Sequence, residues 1–205
     1  MAAARFLVDL HVHTRDKSQD SALDPAILAL RALEEGHGAI CITEHNACWT
    51  AAAAAALSAR FGLPVFRGME VGTNVGHVLA FGLDAFHRDM WDIEHLRRAA
   101  DAEGGVLVLA HPLRPPGFPR SWDDLPALFD GLEVINADES STSAVHLEEL
   151  AAKYGLALTG GSDAHSARAV GRAVTEFEAP VRSDADLVAA IRARACLPLL
   201  GTGRP

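Results

Sequence analysis

Lysine is almost missing: only Lys17 and Lys153 occur in 205 residues. No run rich in lysine or arginine builds a basic surface, and the formal net charge is −9. That balance argues against broad binding to DNA or to an anionic membrane, and no extended basic track or base-stacking platform for nucleic acid is present. The three cysteines, Cys41, Cys48 and Cys196, form no Cys-x-x-Cys pair, and their odd number does not suggest a disulfide framework; they read as reduced, structural thiols. No apolar run approaches transmembrane length, and no basic segment followed by a long apolar one opens the chain, so a cytoplasmic protein without a membrane partner is expected. The sequence specifies no oligomeric state.

What is present is an ordinary globular composition, 49% hydrophobic and 22% charged, over a length suited to one domain spanning residues 1–205. Short apolar runs alternate with helical stretches: "RFLVDL", "AICIT", "LPVFRGME", "HVLAFGL", "VLVLAHP", "GLEVIN" and "LALTGGSD" read as seven strands. Helices are expected at about 25–36, 47–62, 92–104, 121–130, 143–154 and 184–195, several opened by an Asp, Ser or Asn suited to an N-cap. The alanine tract at 51–56 reads as helix interior. Such alternation predicts an α/β fold with a largely parallel sheet, closed into a barrel with helices outside; a doubly wound open sheet is the alternative. The connection "VGTNVG" between Glu70 and His77 is too short for a crossover helix, so the following strand is expected to turn back antiparallel and bring His77 beside Glu70.

Histidines gather where strands end. In "FLVDLHVHT" His11 and His13 follow an apolar run at a spacing of two, which points both imidazoles to one face with Asp9 in the same parity. Two neutral imidazoles side by side can share one metal ion. His45 in "TEHN", His77 in "GHVLAFG", His111 in "LAHP" and His165 in "GSDAH" also follow or begin strands, and Asp20, Glu70 and Asp163 stand near them. In a parallel barrel these strand ends share one rim, so the residues converge there. The other histidines, His37, His87, His95 and His146, fall in helices or loops and read as solvated surface residues.

The series "DLHVHT", "SQD", "TEHN", "GMEVG", "GHVLAFG", "AHP" and "GSDAH" resembles, in order, the motifs of the PHP family, named for polymerase and histidinol phosphatase, from Asp9 to about Gly171. The resemblance implies a distorted seven-stranded (β/α) barrel with two or three divalent ions (zinc, manganese or iron) at its C-terminal mouth. It places the first ion among His11, His13, Glu70 and Asp163, the second among Glu70, His77 and His111, and the third among Asp20, His45 and His165, with Glu70 bridging two ions. Glu70, Asp163 and His165 are the residues expected to take part in the chemistry. The family commonly has Thr-Asp-His where Glu44 precedes His45 here; since neighbours on a strand point apart, Glu44 is expected to support the site or to face solvent rather than touch the metals. Asp16 rivals Asp20 for the loop position, and the Ser-x-Asp pattern at Ser18 favours Asp20.

The ions outweigh the charge of the three carboxylates, so the pocket is expected to take an anion: a phosphate ester of a small molecule or nucleotide, hydrolysed by metal-activated hydroxide. Arg114, Arg120, Arg168 and Arg172 lie near the mouth in sequence, and Arg114 is the best placed to bind phosphate. Asn136, at the end of "GLEVIN", faces either the metals and substrate or caps its loop. The segment "RPPGFPR" is a candidate lid or specificity element. Two other functions are weighed. The amidohydrolase superfamily also opens on His-x-His but often bridges its metals with a carboxylated lysine, and neither lysine here ends a strand; a noncatalytic metal-binding module is the third reading.

Overall fold

The computed structural model describes residues 5–137 and 142–201. All seven expected strands form: β1 (Phe6–Asp9), β2 (Ala39–His45), β3 (Val65–Thr73), β4 (Gly76–Phe81), β5 (Val106–Leu109), β6 (Gly131–Asn136) and β7 (Ala157–Gly161). Two further strands, β8 (Ala173–Phe177) and β9 (Cys196–Leu200), correct the expected count to nine. The sheet order is β7-β6-β5-β4-β3-β2-β1-β8-β9. It curls into a nearly closed barrel: at the seam Gly160 donates its N–H to Thr175 Oγ1 at 2.9 Å, and that hydroxyl donates to the Gly160 carbonyl at 2.8 Å. Pro198 sits in β9, and a proline weakens any sequence reading of a strand while being tolerated at the sheet edge that β9 occupies.

The expectation of a largely parallel sheet also needs correction. The blocks β1–β2–β3 and β5–β6–β7 are parallel, but β4 is antiparallel to both its neighbours and β8 runs antiparallel to β1 and β9. The short β3–β4 connection forces the first reversal, as its length predicts, and pairs Gly72 with His77. Within the barrel, Val8, Cys41, Phe66, Phe81, Val108, Ala157 and Phe177 from seven strands meet in one cluster with Leu187 and Ile191.

Helices cover the outside: α1 (Pro25–Glu34), α2 (Ala51–Phe61), α3 (Ile93–Glu103), α4 (Leu125–Leu128), α5 (Thr142–Tyr154) and α6 (Asp184–Arg192). Caps set most boundaries. Asp24 accepts from the N–H of Ala26 and Ile27 with Pro25 at the first helical position, Thr50 caps α2, Asp92 caps α3 and Ser183 caps α6. The helix expected at 121–130 is instead a 3₁₀ turn, Trp122–Asp124, followed by the four-residue α4. Pro126 has no N–H and fits only a first turn, so α4 starts at Leu125, and Phe129 is already extended. Leu28, Ala29, Leu57 and Ala54 of α1 and α2 pack on Ile40 and Ile42, while Leu96, Leu125 and Leu147 of α3–α5 pack in a separate cluster with Met69, Leu107 and Leu132, further round the same outer face. Among the described residues no helix is long and apolar enough to cross a membrane.

Candidate metal centre

The parallel strands of both blocks finish at one end of the barrel, where β4 begins, and the histidines collect there. His45 closes β2, Glu70 lies in β3, His77 is the second residue of β4, and Asn136 closes β6. His111 stands two residues past β5, Asp163 two past β7, and His11 two past β1, which ends at Asp9, earlier than the apolar run suggests. A bridge from Val12 to Ala164 and the bond from Val12 N–H to Thr43 Oγ1 at 3.0 Å keep the His11–His13 segment extended beyond the strand. Three of the four described non-glycine residues with positive φ are here, Asn46 (50°), His111 (30°) and Asp163 (52°), each directly or almost directly after a strand. Backbone held in that region costs free energy, and such positions cluster where side chains must be aimed.

Glu70 is the hub. Its carboxylate, 1% exposed, lies against five imidazoles: His77 Nδ1 at 2.7 Å, His45 Nδ1 at 2.8 Å, His111 Nε2 at 3.1 Å, His13 Nε2 at 3.3 Å and His11 Nε2 at 3.4 Å. Asp163 Oδ1 approaches His13 Nε2 at 3.2 Å and His11 Nε2 at 3.4 Å. Asp20 reaches in from the loop before α1, with Oδ2 3.0 Å from His45 Nε2 and 3.4 Å from His165 Nε2. Four overlapping sets have ligand atoms within 4.8 Å of one another: His11–His13–Glu70, Glu70–His77–His111, His11–His111–Asp163 and His13–His45–His165. All nine residues singled out in the sequence as ligands thus meet at one place.

The chemistry of this donor set fits a cation. His11 Nε2 and His13 Nε2 are buried and have no hydrogen-bond partner, a costly condition for polar atoms unless an ion satisfies them. The opposite ring nitrogens explain why these atoms are free. His11 Nδ1–H donates to Glu133 at 2.9 Å, His13 Nδ1–H faces Ser18 Oγ at 3.4 Å, and His165 Nδ1–H donates to the Asp163 carbonyl at 2.8 Å, so in each neutral ring Nε2 keeps its lone pair. Burial works against ionised Glu70 and Asp163, but it is outweighed by the positive charge favoured at His11 and by hydrogen bonds from neighbouring rings, which hold both carboxyls well below the usual range. Burial likewise opposes charge on His11, yet Glu133, Asp163 and Glu70 raise its pKa well above the ordinary value. The surroundings favour positive charge at this point.

Three supporting carboxylates escaped the sequence reading in whole or part. Glu133, fully buried in β6, accepts from His11 Nδ1, from His111 N–H at 3.0 Å and from Asn136 Nδ2 at 3.0 Å. Its signal was a charge in the middle of an apolar strand, which demands partners. Asp9 ties β1 to the segment between β7 and β8, accepting from the N–H of Ser162 at 3.0 Å and Gly171 at 3.1 Å; burial pushes its carboxyl up to about 6. Glu44 does not touch the cluster, as expected, but it is buried rather than solvated: it accepts from Thr14 N–H at 3.0 Å, Trp49 Nε1 at 2.8 Å, Ser18 Oγ at 2.5 Å and the Thr14 hydroxyl.

Asn136 and Arg114 both stand at the cluster. Asn136 Nδ2 also faces Asp163 Oδ2 at 3.4 Å, and Arg114 Nη2 donates to that oxygen at 2.8 Å and to Asn136 Oδ1 at 3.2 Å. Arg120 turns away to Glu94, and Arg168 and Arg172 are exposed. His87, His95 and His146 are exposed as expected, but His37 is buried, packed beneath Gly171.

Comparison with known proteins agrees with this geometry. Residues 9–170 match the PHP domain model, and residues 147–196 match a PHP-associated one. A 3′,5′-nucleoside bisphosphate phosphatase of Chromobacterium violaceum is 35% identical over 81 residues, 38% of this chain and 28% of the relative. A phosphoribosyl 1,2-cyclic phosphate 1,2-diphosphodiesterase of Eggerthella lenta is 37% identical over 81 residues, 38% of this chain and 29% of the relative. The matched stretch therefore spans less than a third of either curated relative. A two-domain Bacteroides vulgatus protein, described as containing a predicted PHP-like metal-dependent phosphoesterase, shares the fold with a TM-score of 0.73 at 19% identity, over 97% of this chain and 65% of that one. With its motifs in order, its imidazoles gathered on one carboxylate and most of its length matched, the chain belongs to the PHP domain family.

Proposed function

We propose that this chain is a single-domain, metal-dependent phosphoesterase acting on a phosphate ester of a small molecule or nucleotide. The observation that carries the reading is the Glu70 carboxylate set against five imidazoles, with two buried imidazole nitrogens that no hydrogen bond satisfies. His11, His13, Glu70 and Asp163 would hold one ion, Glu70, His77 and His111 a second, and Asp20, His45 and His165 a third; zinc, manganese and iron all suit such ligands. Bound there, divalent ions supply Lewis acidity towards the phosphoryl oxygens and make water acidic enough to attack near neutral pH.

The chain's own groups do the rest. Asp163, kept ionised, accepts a hydrogen bond from the attacking water and aligns it. Arg114, with its guanidinium already at Asp163, offers N–H donors to the phosphoryl oxygens. The water oxygen bonds to phosphorus as the ester P–O bond breaks, and the alcohol leaves with a proton taken from solvent at the open rim, matching the proton the water gives up; His165, with Nδ1–H fixed on a carbonyl, keeps Nε2 turned towards Asp20 and the third ion's place. The names of the two curated relatives, a phosphatase and a phosphodiesterase, support phosphoric ester chemistry. The lysine-bridged alternative loses ground: Lys153 Nζ is engaged with Tyr154 and Asp123 on the outer surface.

The test is protein reconstituted separately with zinc, manganese and iron and assayed on phosphomonoesters, phosphodiesters and amides, beside Glu70→Gln. The expected result is ester turnover that vanishes in the variant together with bound metal while the fold persists. Metal-replete protein with no turnover of any ester or amide would favour the noncatalytic module.

A further inference from the structure

A cavity of about 420 Å³ opens directly from the cluster. His77 and His111, both against Glu70, form its inner end, and Val75, Leu109, Pro112 and Phe118 supply much of its wall. The β3–β4 hairpin makes one side and the proline-rich segment after His111 the other, so the space is a slot between two walls. Its volume falls in the range of small-molecule sites and exceeds what a phosphoryl group needs. The wall is mostly carbon, whereas the cluster beside it is charged.

The second wall is built rigidly. Phe118 stacks on Trp122 at 5.3 Å between ring centroids and meets Phe129 edge-on at 6.0 Å, and its N–H donates to the Pro112 carbonyl at 3.0 Å. A preformed apolar slot binds a flat, rigid group with little ordering cost. A polyhydroxylated group there would leave hydroxyls against carbon, losing the hydrogen bonds it had in water.

We infer that this slot is the leaving-group subsite and that the preferred substrate is a phosphate ester whose alcohol carries a flat, largely apolar ring next to the ester oxygen. The inference rests on the phosphoesterase reading and adds specificity to it. With the phosphoryl group on the cluster, the ring would extend past His77 and His111 into the slot.

The test compares benzyl phosphate with methyl phosphate, whose alkoxide leaving groups have similar intrinsic reactivity, on the metal-reconstituted 205-residue chain. The kcat/KM for the benzyl ester should be at least about tenfold higher, given the apolar surface the ring buries. Calorimetry should show benzylphosphonate binding tighter than methylphosphonate by a similar factor, independently of turnover. Phe118→Leu, which removes the ring but keeps an apolar side chain, should narrow both ratios while bound metal stays at the parental level. Equal kcat/KM for the two esters in the parent, with turnover intact, would overturn the slot and leave the phosphoesterase standing. Absence of turnover and of phosphonate binding for both would overturn the phosphoesterase and the slot together.

Discussion

Glu133 is fully buried, and a carboxylate keeps such a position only when its oxygens are matched. Here they are matched by groups that must be aimed: the His11 ring, the His111 backbone and the Asn136 amide. Glu133→Gln preserves size but removes the charge that fixes the His11 proton on Nδ1. We expect metal affinity to fall roughly 10–100-fold, the usual cost of losing such a partner, with the fold retained. Metal titration of the folded variant checks this, and parental affinity would show that Glu133 is merely structural. Asp20 and Asp16 offer a second comparison. Asp20 meets His45 and His165, and its surroundings favour the ionised form, since attraction to these rings and hydrogen bonds to its carboxylate outweigh the effect of burial. Asp20→Ala should lose one ion and most turnover, whereas Asp16→Ala should resemble the parent; metal stoichiometry on the two variants decides it, and loss of the ion in Asp16→Ala alone would reverse the assignment.

Among the elements, β7 must pass very close to the His11 segment. A Cβ on Gly161 would lie 2.4 Å from His11 Cβ and 2.8 Å from Glu133 Oε1, both held in place by the barrel. Gly161→Ala should therefore destabilise the protein by about 1–3 kcal/mol, as overpacking does, and loosen metal binding by displacing His11. Denaturant unfolding with metal titration reads both; an unchanged midpoint would mean the strand shifts freely. The β3–β4 hairpin shows the complementary case, where a short connection fixed strand direction and so put His77 opposite Gly72 on the side of Glu70. The strands β8 and β9 escaped a reading built on apolar runs, because Thr175 and Glu176 interrupt β8 and Pro198 interrupts β9.

For the molecule as a whole, the buried His37 gives an acid-stability term away from the cluster. Burial lowers its pKa from 6.5 to about 4. Between those values the unfolded chain binds a proton that the native state refuses, so stability is full above pH 6.5 and is lost as the pH falls towards 4. The complete loss amounts to about 3 kcal/mol from this group. His37→Leu should lower the slope of unfolding free energy against pH in that window, measured by urea denaturation beside the parent; identical slopes would refute the assignment.

The sequence by itself determined the candidate ligand types, their places at strand ends, the reversal at β4 and the alternation that makes an α/β barrel. These are local: periodicity, turn length and caps act within a few residues. Only the tertiary structure decided that Glu133 backs His11 across 122 positions, that Glu44 is buried beneath Thr14, Ser18 and Trp49, that Asp20 rather than Asp16 meets the histidines, and that β8 and β9 carry the sheet round to the seam. A buried charge announces that it needs partners, but which distant segment supplies them depends on how the sheet closes, and no local pattern encodes that.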